Sequence, residues 1–354
     1  MSEFSSRLIA WQKVHGRHDL PWQNTTDPYA IWVSEIMLQQ TQVAAVIGYY
    51  AKFMQRFPDI ATLANATQEE VLQYWSGLGY YSRARNLHKA AITIMDIHGG
   101  EFPEDFDTIQ TLSGIGRSTA AAIASFAFNQ IQTILDGNVK RVLARHFLVE
   151  GWPSHPKIEK ELWARAENLL PEAQMIAYTQ GLMDLGATLC TRSKPKCTDC
   201  PLLDSCAAYK QQRVHQLPTP KPRKAIPEKN TTMLILVRGD EVMLEKRPPT
   251  GIWGGLWSFP EADISENLPE LAYSRFGIST QFTQSLPQLS HAFTHFKLHI
   301  QPQQLTVLSN NSQVNEAGYL WLNIDDAIGA AIPTPVRKIL QTLQLNLTST
   351  HPSD

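Results

Sequence analysis

The chain has 354 residues, 43% of them hydrophobic and 18% charged, with a formal net charge of −2. That length allows two domains with buried cores. The near-neutral balance excludes a generally basic nucleic-acid coat, so any nucleic-acid binding must use local positive clusters and backbone amides.

No run of about 18 uninterrupted apolar residues occurs, so no membrane span is expected. The opening MSEFSSRLIAWQKVHGRHDL lacks the apolar core of a signal peptide and reads as a surface helix, which predicts a cytoplasmic location. From residue 3 to about 188 the pattern is helical, broken by Gly and Pro, and predicts helices over 3–14, 29–41, 43–56, 68–76, 81–97, 117–129, 138–147, 157–169 and 174–188. Pro21, in the sequence DLPW, ends the first helical region. In PYAIWVSEIMLQQTQV, Ile31, Ile36, Leu38 and Val43 are core-like, which makes Glu35 conspicuous. Such a Glu either lies on the solvent face or, if buried, keeps its proton and suits a general acid. GLGYYSRARNL, residues 77–87, sets glycines, paired tyrosines and two arginines at a loop-to-helix junction. It is either a packed turn with a solvated basic face or a loop approaching DNA, with an aromatic wedge and with Arg83 and Arg85 on phosphates.

LSGIG follows, with Gly114 and Gly116 opening the alanine-rich run RSTAAAIASFAF. Glycines there permit close backbone approach and leave helix N-terminal amides pointing outward, an arrangement suited to phosphate. In LDGNVKR, Asp136 ends an apolar stretch and precedes the next helix, so it is a helix N-cap or a functional acid. TQGLMDLGATLC leads into Cys190, Cys197, Cys200 and Cys206, spaced C-x6-C-x2-C-x5-C. One tight group of cysteines without an export signal predicts a metal centre, and thiolate softness fits zinc or an iron–sulfur cluster equally. Arg192, Lys194 and Lys196 form a basic patch between the first two cysteines, suited to phosphate.

Periodicity fails over 208–229, where Lys221, Arg223, Lys224 and Lys229 crowd around Pro218, Pro220 and Pro222. A helical domain over 1–215, a basic Pro-rich extended linker over 216–229 and a second domain over 230–348 are expected. In the second domain the period becomes two: TTMLILV and VMLEKRP predict a hairpin around Gly239-Asp240. THFKLHI puts Phe296, Leu298 and Ile300 on one strand face. His295 and His299 fall on the other, joined by His291 if the strand starts earlier, and are expected to be solvated or DNA-facing. With a last helix near 334–344, this domain is α+β.

LSGIG, with Asp136 twenty residues after Gly116, resembles the helix-hairpin-helix of the endonuclease III-like DNA repair superfamily, although Ser113 replaces the usual proline. SEIMLQQTQV, GLGYY and the cysteine spacing extend the likeness. From about residue 3 to 345 the chain is similar to the superfamily's adenine-removing branch, whose members append a Nudix-like domain. The resemblance implies an all-α catalytic region with one [4Fe–4S] cluster on the four cysteines, followed by an α+β recognition domain. It implies hydrolysis of the N-glycosidic bond of adenine opposite 8-oxoguanine or guanine in double-stranded DNA, by a monomer. Glu35 would be the general acid, Asp136 the carboxylate opposing the oxocarbenium ion, Asn138 an active-site neighbour and Gln180 an adenine contact. Tyr80 would wedge beside the opposing base with Gln39 and Gln40 nearby, while Gly114 and Gly116 meet the backbone. Ser118 stands where some relatives carry tyrosine and lyases carry lysine, which implies a monofunctional enzyme. Thr294 replaces the serine of a motif that continues into His295, and residues 254–276 lack the acidic helix of a Nudix hydrolase, so this domain is expected to read a base and not cleave a nucleotide. Both acids are present, which argues against a non-catalytic DNA-binding paralogue.

Overall fold

The structure, a computed structural model, describes residues 2–222, 225–310 and 318–350. The chain divides into two compact units: residues 1–65 with 86–223, and residues 66–85 with 224–354. Arg223 and Lys224 of the expected linker lie outside the described residues.

The first part of the chain is helical: α1 (Glu3–His15), α2 (Pro28–Leu38), α3 (Val43–Arg56), α4 (Ile60–Asn65), α5 (Gln68–Trp75), α6 (Ser82–His98), α7 (Phe106–Thr111), α8 (Arg117–Phe128), α9 (Gly137–His146), α10 (Pro156–Glu167), α11 (Met175–Asp184) and α12 (Ala207–Lys210). The short helices α4, α7 and α12 were not expected, since fewer than two turns carry little periodic signal. Asp27 starts α2 by accepting the Tyr29 amide, with Pro28 in the first turn. The helix ends at Leu38 and not at 41, because Gln40 turns left-handed (φ +56°). The segment expected to be helical over 174–188 is α-helical to Asp184 and then widens into a π turn, Leu185–Leu189. A Cβ on Gly186 would sit 2.6 Å from Asn138 Cβ, so only glycine lets this turn lie against the start of α9. Leu8, Val139, Leu143, Tyr178 and Leu182 are central to the core that joins α1, α9 and α11.

Residues 216–222 are not a free extended tether. The Gly151 amide donates to Thr219 Oγ1 (3.0 Å), Arg145 Nε donates to the Leu217 carbonyl (2.8 Å), and Lys221 lies over the Trp152 ring.

The second unit is built on strands β1 (Glu228–Arg238), β2 (Glu241–Lys246), β3 (Trp257–Ser258), β4 (Glu261–Ala262), β5 (Ile278–Ser285), β6 (Leu289–Ala292), β7 (Lys297–Asn310) and β8 (Tyr319–Asn323), with helices α13 (Leu268–Phe276), α14 (Ile324–Gly329) and α15 (Thr334–Thr350). The β1–β2 hairpin turns at Gly239-Asp240 as expected, pairing Arg238 with Glu241. β1 and β7 run parallel and the other pairings are antiparallel, giving a mixed sheet in an α+β domain. Phe296, Leu298 and Ile300 are buried as the alternation required. The three histidines do not share a strand face: His291 lies on β6, His295 in the tight turn before β7, and His299 on β7, bonded to Ser290 and Glu228. The turn, closed by the Phe293 amide on the Phe296 carbonyl, resets the alternation.

Helix α5 belongs to this unit. Glu69 bonds Lys246 (2.7 Å) and Trp257, Gln73 Nε2 donates to the Gly329 carbonyl (2.8 Å), and Ser76 Oγ donates to the Ile332 carbonyl (2.7 Å). Among the described residues no helix is long and apolar enough to cross a membrane.

Gly114 has φ +82°, and a Cβ there would meet Asn86 Cβ at 2.8 Å. Gly114→Ala should therefore cost about 1–3 kcal/mol of stability, read as a lowered urea midpoint at unchanged slope.

Candidate active site

Glu35 points from α2 into a cavity of about 690 Å³ that is also lined by Trp22, Ile31, Ser34, Val43 and Gln180. That volume accommodates a small-molecule-sized group such as a nucleobase. The apolar helix around it (Ile31, Trp32, Val33, Ile36 and Met37 are all buried) explains the chemistry of this carboxyl. Burial first, and the negative charge of Asp136 second, together raise its pKa from the ordinary 4.5 to about 8. Glu35 therefore carries its proton at neutral pH.

Asp136 is the N-cap of α9 and accepts the Val139 amide at 2.8 Å. Burial raises its pKa too, opposed by the amides of Val139 and Asn138 and by the charges of Arg141 and Lys140. Those amides and cations favour the charged form of Asp136, whereas burial and a like charge both favour the protonated form of Glu35. Being a cap and being a functional acid are thus compatible here. The Ser118 hydroxyl, at the start of α8, accepts the Leu135 amide at 3.0 Å and so braces the segment entering Asp136. Asn138 Oδ1 accepts from Arg141 (2.7 Å), which also donates to the Gly186 and Cys190 carbonyls; its side chain is committed to this scaffold.

Gln180 lines the cavity, and its Nε2 donates to Asp184 Oδ1 (2.8 Å). Asp184 is fully buried and paired with Arg17 through Nε (2.7 Å) and the backbone amide (2.9 Å). Neither Arg17 nor Asp184 was identified from sequence. The signal was available: Asp184 is an acid in an apolar helix, as Glu35 is. Gln39 Nε2 reaches Thr119 Oγ1 (3.3 Å) at the end of α2, and Gln40 beside it is exposed. Gly116 caps α8 without a side-chain hydrogen bond, leaving the first amides of that helix to an outside acceptor.

The four cysteines are unpaired and line one small cavity. Arg145 Nη1 donates to Cys190 Sγ (3.3 Å), and burial pushes the Cys200 thiol up to about 12. Among the described residues no three His, Cys, Asp or Glu side chains converge on a single ion. Four thiols around one cavity form a soft donor set suited to a metal centre.

In the second unit Tyr80 is 47% exposed and in left-handed backbone (φ +49°). It lines a cavity of about 620 Å³ with Trp253, Phe293, Thr294 and His295. Of the arginines expected to face phosphate, Arg83 is buried between the Trp75 and Tyr80 rings and donates to the Gly79 carbonyl (3.1 Å), and Arg85 donates to the Gly254 carbonyl (2.7 Å).

Residues 33–168 match the family described as "HhH-GPD superfamily base excision DNA repair protein", and residues 231–342 match "NUDIX domain". An adenine DNA glycosylase of Buchnera aphidicola subsp. Acyrthosiphon pisum is 39% identical, with 97% of this chain and 98% of that protein covered. The adenine DNA glycosylase of Homo sapiens is 34% identical, over 97% of this chain and 74% of its own length. A thermostable thymine-DNA glycosylase matches with a TM-score of 0.53 at 30% identity, covering 59% of this chain and 95% of that one. A trapped endonuclease III–DNA covalent intermediate, at 22% identity and TM-score 0.51 over 59% of this chain and 97% of that chain, shares the fold.

The raised pKa of Glu35 has a consequence for folding. Its contribution to stability is fully present below the unfolded value near 4.5 and is lost as pH rises through about 8. Glu35→Gln lacks this loss. Urea unfolding should show the variant gaining stability relative to wild type between pH 5 and about 8.5; parallel pH profiles would mean that Glu35 is not held protonated.

Proposed function

The chain belongs to the adenine DNA glycosylase family, enzymes that release adenine from DNA in base-excision repair, and we propose that its target is adenine opposite 8-oxoguanine or guanine in duplex DNA. The observation that carries the chemistry is Glu35, held protonated on the wall of a cavity roomy enough for a nucleobase and within electrostatic reach of Asp136. Adenine leaves its sugar poorly as an anion. Glu35 gives a proton to the base as the C1′–N9 bond breaks, which contributes roughly 10²–10⁴-fold. The sugar becomes oxocarbenium-like, and Asp136 opposes that charge where water is scarce. Water then adds to C1′, leaving an abasic site. The adenine must first leave the stack, at a cost of a few kcal/mol that is smallest in a mispair.

Gln180, its Nε2 held by Asp184, lines the cavity and keeps its carbonyl oxygen as an acceptor for the adenine amino group. Ser118 has no amine to form a Schiff base, so the reaction stops at the abasic site. Asn138 supports Asp136 through its amide and through Arg141. The α8 amides after Gly114 and Gly116 receive a phosphate, and the Tyr80–Thr294–His295 cavity receives the base opposite, with Gln39 and Gln40 near that site. Cys190, Cys197, Cys200 and Cys206 hold one [4Fe–4S] cluster, which when bound organises the loop presenting Arg192, Lys194 and Lys196 to DNA. The enzyme acts as a monomer in the cytoplasm.

The deciding measurement is adenine release from duplexes holding A:8-oxoguanine, A:G and A:T. Release should be fast with the first, slower with the second and absent with the third. Glu35→Gln and Asp136→Asn should each lose roughly 10²-fold or more in single-turnover rate while still binding the mispair. Normal release by either variant would remove that residue from the mechanism.

Protein purified without oxygen should be yellow-brown and contain iron and sulfide at about four each per chain. Stoichiometric zinc with no iron would overturn the cluster assignment.

A further inference from the structure

We propose that Arg85 is a positioning residue for discrimination of the base opposite the target adenine, a role that rests on the opposing-base reading of the Tyr80–Thr294 cavity. Tyr80 has φ +49°, a conformation that a bulky side chain keeps only where its surroundings enforce it. Local contacts account for part of that enforcement. The Arg83 guanidinium lies 5.3 Å from the Tyr80 ring and 5.4 Å from the Trp75 ring, the Arg83 amide donates to the Tyr80 carbonyl (2.8 Å), and Trp75 Nε1 donates to the Gly79 carbonyl (3.1 Å). These bonds fix Tyr80 within its own loop and do not place it relative to Thr294.

Arg85 makes that second connection. Its Nη1 donates to the Gly254 carbonyl at 2.7 Å, a short charge-assisted bond from a guanidinium whose partial burial lowers its pKa. The acceptor sits in a tight turn. A Cβ on Gly254 would lie 2.7 Å from the Pro249 carbonyl oxygen, and its neighbours Trp253 and Gly255 are both left-handed (φ +55° and +77°). Trp253 in turn packs on Phe293 (5.5 Å between ring centroids) and His291 (5.6 Å), and Phe293 immediately precedes Thr294. Arg85 therefore closes a continuous path from the Tyr80 loop to the turn carrying Thr294, with both ends lining one cavity. Tyr80 is the sequence-tolerant element, since every base offers a face to stack on, whereas a hydroxyl such as that of Thr294 can discriminate by hydrogen bonding. Fixing their separation converts two weak contacts into one selective site.

Arg85→Met keeps most of the stem packing and removes the donors, and Arg85→Lys keeps one charged donor. Single-turnover adenine release would be measured with A:8-oxoguanine and A:G duplexes for wild type, both variants, Tyr80→Ala, and the double variant Arg85→Met/Tyr80→Ala. The preference for 8-oxoguanine should fall about tenfold in Arg85→Met, the size expected for one charge-assisted hydrogen bond, and recover at least partly in Arg85→Lys. In the Tyr80→Ala background Arg85→Met should change the preference no further, because the residue being positioned is gone. An unchanged preference in Arg85→Met overturns the proposal, as does an equal fall with and without Tyr80. A wild type without any preference overturns the opposing-base reading itself, and this proposal with it.

Discussion

Two carboxyls buried within electrostatic reach of each other are the constraint on which the active centre depends. Glu35 and Asp136 both sit where ionisation is costly, and the charge of one adds to the cost of charging the other. The conflict is resolved by unequal support. Asp136 receives backbone amides at the head of α9 and the field of Arg141 and Lys140, while Glu35 emerges from an apolar helix. The two carboxyls are therefore held unequally, which is what the proposed proton-donor and charge-carrying roles require. The asymmetry resides in the fold itself, so under the proposed mechanism it would precede the substrate.

Bringing three remote segments to one point required small residues at the crossings. Ala120, Ala121, Ala122 and Ala124 are fully buried in α8, which packs against both α2 and α11. Gly186 lets the π turn meet Asn138 directly, and Arg141 then bonds carbonyls on that turn. Ser118 joins the start of α8 to the residue before Asp136. Ser118 is thus part of the frame of Asp136. Its replacement by an amine would remove a hydrogen-bond acceptor as well as introduce a nucleophile.

What was legible in the sequence was local. Glu35 stood out as an acid among apolar neighbours, Asp136 as an acid at a helix start, and the cysteines by spacing. Long helices such as α3 and the Gly239-Asp240 hairpin followed from periodicity and turn chemistry. What escaped was determined by distant partners. The segment 66–85 joins the second unit through bonds from Glu69, Gln73 and Ser76, and nothing in its own pattern encodes those acceptors. The Arg17–Asp184 pair closes over a long sequence separation, and the histidine stripe dissolved because a turn at 293–296 interrupts what looked like one alternating strand.

The arginines show why sequence charge is a poor guide to where DNA would lie. In a chain of net charge −2 the cations are few enough that their individual duties matter. Arg83, Arg85, Arg141 and Arg145 all aim guanidinium groups at backbone carbonyls, where the planar fork can satisfy several acceptors at once. A lysine could not brace two or three carbonyls in fixed directions. Those four guanidinium groups brace the architecture, and other cations lie around the open surfaces. Near α9 lies a groove of about 470 Å³ lined, besides Arg141, by Lys140, Arg192, His215 and Lys221, beginning at Gly137, the residue after Asp136. Under the proposed function, cations in a groove that starts one residue beyond Asp136 would draw a polyanion toward that carboxylate.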